Sequence, residues 1–244
     1  LHAASLVPDG GTLQIGIGQV GDARAQGLIL RHRDNAQFRS IMKRLAPAAE
    51  PLQSELFENG LYGVSEMLTE AFLGLIDAGV IKREVGGVIL HGAFFLGPKS
   101  FYRALREMPA DQLARIQMMP VSFTNQLYGS EDAKRSARVD ARFVNNALMA
   151  TLMGAAVSDG LENGQVVSGV GGQYNFVAQG FALDGARSIL SLEATRKAGN
   201  KVRSNILGNY GHQTIPRHLR DIFVTEYGVA DVRGKSDAET IAAM

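Results

Sequence analysis

Residues 12–18, Thr12-Leu13-Gln14-Ile15-Gly16-Ile17-Gly18, alternate like a β-strand and run straight into a Gly-x-Gly turn. Asp22 is placed to cap a helix beginning near Ala23. Strand, glycine turn and helix in that order are the building unit of an α/β domain. A turn of this kind, with Gly16 and Gly18, lets a ligand approach backbone N–H groups at a helix N-terminus. Tight packing of a helix on a strand accounts for the same glycines equally well.

Outward from this unit, short apolar runs recur and read as further strands: Val85 to Leu90, Ile116-Gln117-Met118-Met119-Pro120-Val121, Phe143 to Met153, Gln165-Val166-Val167, Ser188 to Leu192, Ser204 to Leu207 and Asp221 to Thr225. Between them lie helical patterns such as Lys99 to Met108. Short apolar runs separated by helices predict an open α/β domain, its parallel or mixed sheet largely buried and flanked by helices. From Arg24 to Asn59 the pattern is polar and helical, broken by Pro47 and Pro51. The charges of that stretch (Arg31, Arg33, Asp34, Arg39, Lys43, Arg44) predict a solvated face.

The chemistry concentrates in two stretches. In Gly63-Val64-Ser65-Glu66-Met67-Leu68-Thr69-Glu70, the apolar residues Met67, Leu68, Phe72, Leu75 and Ile76 keep a helical period, and Asp77-Ala78-Gly79 closes it. That period places Glu66 at the mouth of a helix, facing unpaired N–H groups and the positive end of the dipole, a setting suited to a nucleophilic carboxylate. The same spacing also fits a capping box with no further role. The second stretch is Ser168-Gly169-Val170-Gly171-Gly172-Gln173-Tyr174-Asn175-Phe176. Three glycines in four positions strip side chains from a turn and bare its backbone N–H groups, as an oxyanion site or a cofactor cradle requires; a tight hairpin or bulge would use them too.

Composition narrows the function. The 244 residues are 45% hydrophobic, enough for one large domain or two small ones, and a single domain is expected; 25 basic against 24 acidic residues leave a net charge of +1. No basic block is interleaved with aromatics, so nucleic acid is not the expected partner. There is no cysteine, and the five histidines lack metal-ligand spacing, so neither a metal nor a redox cofactor is expected. No apolar run is long enough for a membrane span and no signal peptide is legible, which predicts a cytoplasmic protein. Starting at Leu1 and stopping at Ala242-Ala243-Met244 inside an expected helix, the sequence reads as a piece of a longer polypeptide.

In their order, the Gly16-Ile17-Gly18 turn, Gly63-Val64-Ser65-Glu66-Met67, Gly169-Val170-Gly171-Gly172-Gln173 and Thr225-Glu226-Tyr227-Gly228-Val229-Ala230 resemble the acetyl-CoA hydrolase and 4-hydroxybutyrate CoA-transferase family of class I CoA-transferases. The resemblance runs over almost the whole chain and covers the C-terminal half of that family, whose members carry two similar halves. It implies that coenzyme A, as acyl-CoA, and a carboxylic acid are the substrates, that Glu66 is the nucleophile, and that the Gly172 amide and the Asn125 side chain serve the thioester oxygen. It further implies that the glycine turns, Gly16 and Gly18 with Gly169, Val170, Gly171, Gly172 and Gln173, line the CoA site, that an N-terminal half of the same polypeptide completes the acyl pocket, and that the protein self-associates. The sequence departs from the family pattern at Gly21, Val64, Thr151 and Asn175, and segment 24–59 reads as a helical insertion. A non-catalytic CoA-binding half-domain and a sugar-phosphate isomerase on a related fold are the alternatives.

Overall fold

The computed structural model describes residues 1–45 and 53–244. In chain order the strands are β1 (Thr12–Ile15), β2 (Tyr62–Leu68), β3 (Leu90–Phe95), β4 (Ile116–Met118), β5 (Arg142–Asn146), β6 (Met149–Thr151) and β7 (Ala156–Val157). There follow β8 (Arg187–Ser191), β9 (Thr195–Ala198), β10 (Lys201–Ser204), β11 (Ile206–Leu207), β12 (Ile222–Thr225) and β13 (Gly228–Asp231). The helices are α1 (Gln19–Arg33), α2 (Asn35–Leu45), α3 (Glu70–Asp77), α4 (Lys99–Glu107), α5 (Ala110–Leu113), α6 (Val121–Asn125), α7 (Glu131–Ala137), α8 (Gln173–Ala182) and α9 (Asp237–Ala243).

Eight strands form one sheet in the order β13-β12-β8-β5-β1-β2-β3-β4, parallel throughout except for the β12–β13 pair. The chain steps outward from β1 through β2 and β3 to β4, returns to the other flank of β1 as β5, and steps outward again through β8 and β12. The reversal therefore falls between β1 and β5. In open parallel sheets, ligands bind outside the carboxyl ends of the strands at such a reversal, because the connections there leave in opposite directions and open a crevice.

Alternation along the strands divides the core. Val144 and Ile189 pack with Leu28 of α1 and Phe72 and Leu75 of α3, whereas Phe143 packs with Phe176 and Leu183 beside α8. Burial of each such aromatic or aliphatic side chain contributes about 1.5–3 kcal/mol, and helices cover both faces of the sheet, as the apolar runs of the sequence predict.

Several local expectations are corrected. Helix α1 starts at Gln19, not near Ala23; Gly18 is its N-cap at φ 103°, so Asp22 lies in the first turn and does not cap. A β-carbon on Gly21 would lie 2.4 Å from the Gly16 carbonyl oxygen, which explains a glycine inside this helix. Residues 62–68 are a strand, so Glu66 does not stand at the mouth of α3; that helix has Thr69 as N-cap, with no side-chain capping bond, and no capping box forms. The helical period is an accident of a strand running into a helix. Gly63 fits this strand because a β-carbon there would meet Leu90 Cδ1 at 2.1 Å.

The expected strand at 85–90 begins only at Leu90; Val85 and Val88 instead bridge across Gly86 and Gly87, both at positive φ, a tight reversal that only glycines adopt easily. Residues 165–167 form no strand either: Val166 makes one isolated bridge to Gly160 and is 75% exposed, because the loop closes on itself through the Val167 and Ser168 amides to Asp159 O. Arg31, expected on a solvated face, is buried: it donates to the carbonyls of Glu55, Ala4 and Val7 and lies over the Phe57 ring. Pro47 and Pro51 lie outside the described residues.

Candidate active site

At the reversal between β1 and β5 a cleft of about 330 Å³ opens. Its walls come from the carboxyl ends of β1 (Gly16), β2 (Ser65 and Glu66) and β5 (Asn145 and Asn146), and from the turn Ser168–Gly172 that leads into α8. The expected residues Glu66, Gly16, Gly169, Val170, Gly171, Gly172 and Gln173 all border it. Gly18 does not; its part is the positive-φ turn that starts α1.

Asn125 comes from another direction. The strand expected over 116–121 stops at Met118, because Pro120 breaks its pattern and leads into α6, of which Asn125 is the last residue. Its Nδ2 donates to Glu66 Oε2 at 2.6 Å. An ionised carboxylate only accepts, which puts the Nδ2 end of the amide toward Glu66 and leaves Asn125 Oδ1 to the Thr124 hydroxyl at 2.9 Å. Gly172 completes the group: a β-carbon on it would stand 1.9 Å from Glu66 Oε2 and 2.5 Å from Asn125 Nδ2, so only glycine leaves room for the carboxylate and the amide together.

Gly172 is also the N-cap of α8. Glu66 therefore does lie at a helix N-terminus, though at that of α8 instead of α3, where the dipole stabilises negative charge by about 0.3–1 kcal/mol. Among the described residues no acceptor takes the N–H of Gly171 or Gly172. Bared amides, a side-chain amide donor and a carboxylate thus share one small volume. A carboxylate can attack an electrophilic carbon; donors beside it can hold the oxyanion that such an attack creates.

The rear of the cleft is held by buried polar side chains with no counterpart in the sequence reading. Lys134, 4% exposed, donates to the carbonyls of Ser122, Gln126 and Tyr128 at 3.2, 3.0 and 2.7 Å. Arg138, 2% exposed, donates to Phe123 O and to Gln179 Oε1, and Gln179 Nε2 donates to Thr124 O at 3.3 Å. The carbonyls around Asn125 are thereby tied to α7 and its C-terminal flank, and through Gln179 to α8. Burial pulls the Arg138 guanidinium down to about 10, and Tyr62 nearby opposes that shift.

Among the other lining residues, Gln14, Asn145 and Asn146 escaped the sequence reading as well. Gln14 and Asn145 exchange reciprocal amide hydrogen bonds of 3.2 Å between β1 and β5. Gln173 Nε2 donates to Asn146 O at 2.6 Å, leaving its buried Oε1 without a partner on the cleft wall. Carboxamides inside otherwise apolar strands were the available signal. Among the described residues no group of three or more His, Cys, Asp or Glu side chains converges as a metal site, and no helix is long and apolar enough to cross a membrane.

Comparison with known proteins finds relatives over most of the chain. A family profile described as acetyl-CoA hydrolase/transferase C-terminal domain matches residues 97–244, a span that includes Asn125 and the glycine turn. The 4-hydroxybutyrate coenzyme A transferase of Clostridium kluyveri is 28% identical over 243 residues, covering 96% of this chain and 47% of its own. The butyryl-CoA:acetate CoA-transferase of Anaerostipes caccae is 29% identical over 241 residues, covering 94% of this chain and 45% of its own. Among solved structures, RipA from Yersinia pestis superposes with a TM-score of 0.73 at 26% identity, over 99% of this chain and 47% of that one. The chain spans about half the length of the curated relatives it matches.

Proposed function

The chain belongs to the acetyl-CoA hydrolase/transferase C-terminal domain family, and from that membership we propose that it moves CoA between an acyl-CoA and a carboxylic acid, or hydrolyses acyl-CoA, through a glutamyl-CoA thioester on Glu66. The observation that carries this reading is the convergence of the Glu66 carboxylate, the Asn125 amide and the side-chain-free Gly172.

A carboxylate oxygen of Glu66 attacks the thioester carbonyl carbon. The C–S bond breaks, CoA leaves as the thiolate, and an acyl-glutamyl anhydride remains. The thiolate then attacks the glutamyl carbonyl carbon, expelling the acyl group as its carboxylate and leaving CoA on Glu66 as a thioester. An acceptor carboxylate runs the two steps in reverse, producing the new acyl-CoA and restoring Glu66; water in its place produces free CoA. Each attack creates an oxyanion, and a carboxylate is a weak nucleophile, so the barrier depends on donors already in position. Gly172 N–H and Asn125 Nδ2 are those donors. In the resting site Asn125 Nδ2 is engaged by Glu66 itself, so attack by the carboxylate releases the amide to the new oxyanion.

Gln173 Oε1, buried and without a partner, accepts an N–H of the pantetheine arm in this account. The remainder of a longer polypeptide closes the open side of the cleft, excluding water and selecting transfer over hydrolysis. An exchange assay with a short acyl-CoA and a labelled carboxylic acid tests the proposal. Label is expected in acyl-CoA with wild-type protein and not with Glu66→Ala; exchange that survives the substitution refutes it.

A further inference from the structure

The glycine turn that presents the Gly172 amide has little of its own to hold it. Residues 162–171 are exposed throughout, and β-carbons on Gly169 and Gly171 would meet nothing within 4 Å. No packing fixes the turn, and its glycines have the most conformational freedom to lose. Its downstream end is set by α8, of which Gly172 is the N-cap. Its upstream end is set by Asp159, whose carbonyl accepts the Val167 and Ser168 amides at 2.8 and 3.1 Å and so closes the loop 159–168 immediately before Gly169.

Asp159 is in turn held from outside the loop. Its carboxylate accepts from His212 Nε2 at 2.9 Å and from the Thr214 hydroxyl, and those two bonds, that of His212 first, keep the carboxyl below the usual carboxylate range. An ionised carboxylate only accepts, so the His212 proton sits on Nε2. Thr214 Oγ1 also takes the Ser158 amide at 2.7 Å, and Ala156 O accepts the Thr214 and Ile215 amides at 2.9 and 3.0 Å. The His212 ring lies against Gly160, where a β-carbon would stand 2.9 Å from Nε2. Two further bonds join the same segments: Gly211 N–H to Glu162 Oε1 at 2.5 Å and Glu162 N–H to the Tyr210 hydroxyl at 3.3 Å. Residues 210–215 thus clamp residues 156–162, the start of the loop that carries the turn.

We propose that His212 is a positioning residue for the Gly172 amide: by orienting Asp159 it fixes the root of the glycine turn, and with it the placement of the oxyanion donor against Glu66. The claim rests on the role proposed for Gly172 and adds to it a residue that touches no substrate. The link is short. His212 holds the Asp159 side chain, Asp159 O holds the Ser168 amide, and Ser168 is the residue before Gly169. A misplacement of about 1 Å at a reacting centre costs on the order of 100-fold in rate, so a clamp remote from the chemistry governs turnover without taking part in binding.

The test measures kcat and KM for exchange between a short acyl-CoA and a labelled carboxylic acid, beside thermal unfolding, in the wild type and in variants at His212. His212→Ala should lower kcat roughly 10- to 100-fold with KM nearly unchanged. His212→Asn, one bond too short to reach Asp159, should do the same and stands in for the alanine variant if that one does not fold. His212→Gln, whose Nε2 lies as many bonds from the backbone as that of histidine, should restore most of the rate. In an Asp159→Ala background the effect of His212→Ala should largely vanish, because the bond it removes is already gone. Unchanged kcat in the alanine and asparagine variants, a KM that rises in step with the fall in kcat, or a glutamine variant no faster than the asparagine one overturns the clamp and leaves the Glu66 reading standing. Wild-type protein that exchanges no label overturns the Glu66 reading, and the clamp with it.

Discussion

The two donors proposed for the oxyanion are supported in opposite ways. Around Asn125, carbonyl after carbonyl is engaged from behind by Lys134, Arg138 and Gln179, all buried. The turn before Gly172 is exposed over residues 162–171 and is held at its root by Asp159, with the half-buried His212 behind it. The difference follows from the kind of donor. Asn125 presents a side-chain amide, whose direction depends on how the end of α6 is seated, and buried hydrogen bonds fix that seat. Gly172 presents a backbone amide that must stay bare, so its support comes from a distance. Substitutions in either region should therefore lower turnover and leave affinity nearly unchanged, with the larger cost in stability on the braced side.

The largest expected effect is at Glu66. Glu66→Ala should abolish exchange while changing stability by about 1 kcal/mol or less, since the carboxylate is half-buried and accepts one protein hydrogen bond, from Asn125. Thermal unfolding beside the exchange assay separates the two; a loss of several kcal/mol would mark Glu66 as a structural residue. Next comes Asn125→Ala, expected to lower kcat roughly 100- to 1000-fold with little change in the dissociation constant for CoA. Gly172→Ala should cost at least as much, because its methyl group would displace the carboxylate. Affinity that falls in step with turnover in either variant would break the comparison, because that region would then serve binding and not the oxyanion.

A smaller effect sharpens it. Gln179→Leu keeps the volume and removes the link between α8 and the Thr124 carbonyl, so kcat should fall roughly 10- to 100-fold with KM for CoA nearly unchanged. Gln179→Glu should recover part of the loss, since it still accepts from Arg138. Combined with His212→Ala, the two defects should multiply, as they do for sites that share no partner. Strong non-additivity would mean that brace and clamp act as one unit.

The smallest effect concerns the loop that carries the glycine turn. Hydrogen bonds from His212 and then Thr214 hold the Asp159 carboxyl below the usual carboxylate range. A carboxyl whose folded value is depressed adds stability above its unfolded value, and that stability is lost as the pH falls through the folded one. Thermal unfolding should therefore show wild type above Asp159→Asn near neutrality, with the gap closing under acid. A gap that persists in strong acid would assign the effect to bond geometry and not to ionisation.

Much of the fold was legible in the sequence for a physical reason. Strands buried on both faces carry unbroken apolar runs, such as Ile189-Leu190 in β8 and Ile222-Phe223-Val224 in β12, and a glycine turn joins β1 to α1. The 62–68 strand was misread because Met67 and Leu68 fall in phase with Phe72 and Leu75 of the next helix, and periodicity does not register a junction. The 116–121 strand was drawn too long because one proline, Pro120, converts the end of its pattern into α6, which carries Asn125. The members of the candidate site were named by resemblance, whereas their meeting depends on β2, α6 and α8 converging, a long-range event. Lys134, Arg138 and Gln179 left no mark, since side chains that bind backbone carbonyls require no particular residue opposite them.

The central claim is that CoA is carried covalently on Glu66. Protein incubated with a short acyl-CoA and no acceptor acid, quenched in acid, digested and analysed by peptide mass spectrometry, should show the peptide containing Glu66 heavier by the mass of CoA less water. The adduct should disappear on adding a carboxylic acid acceptor and should not form with Glu66→Ala. Active protein with no adduct on that peptide, or with the adduct on a different residue, would contradict the account.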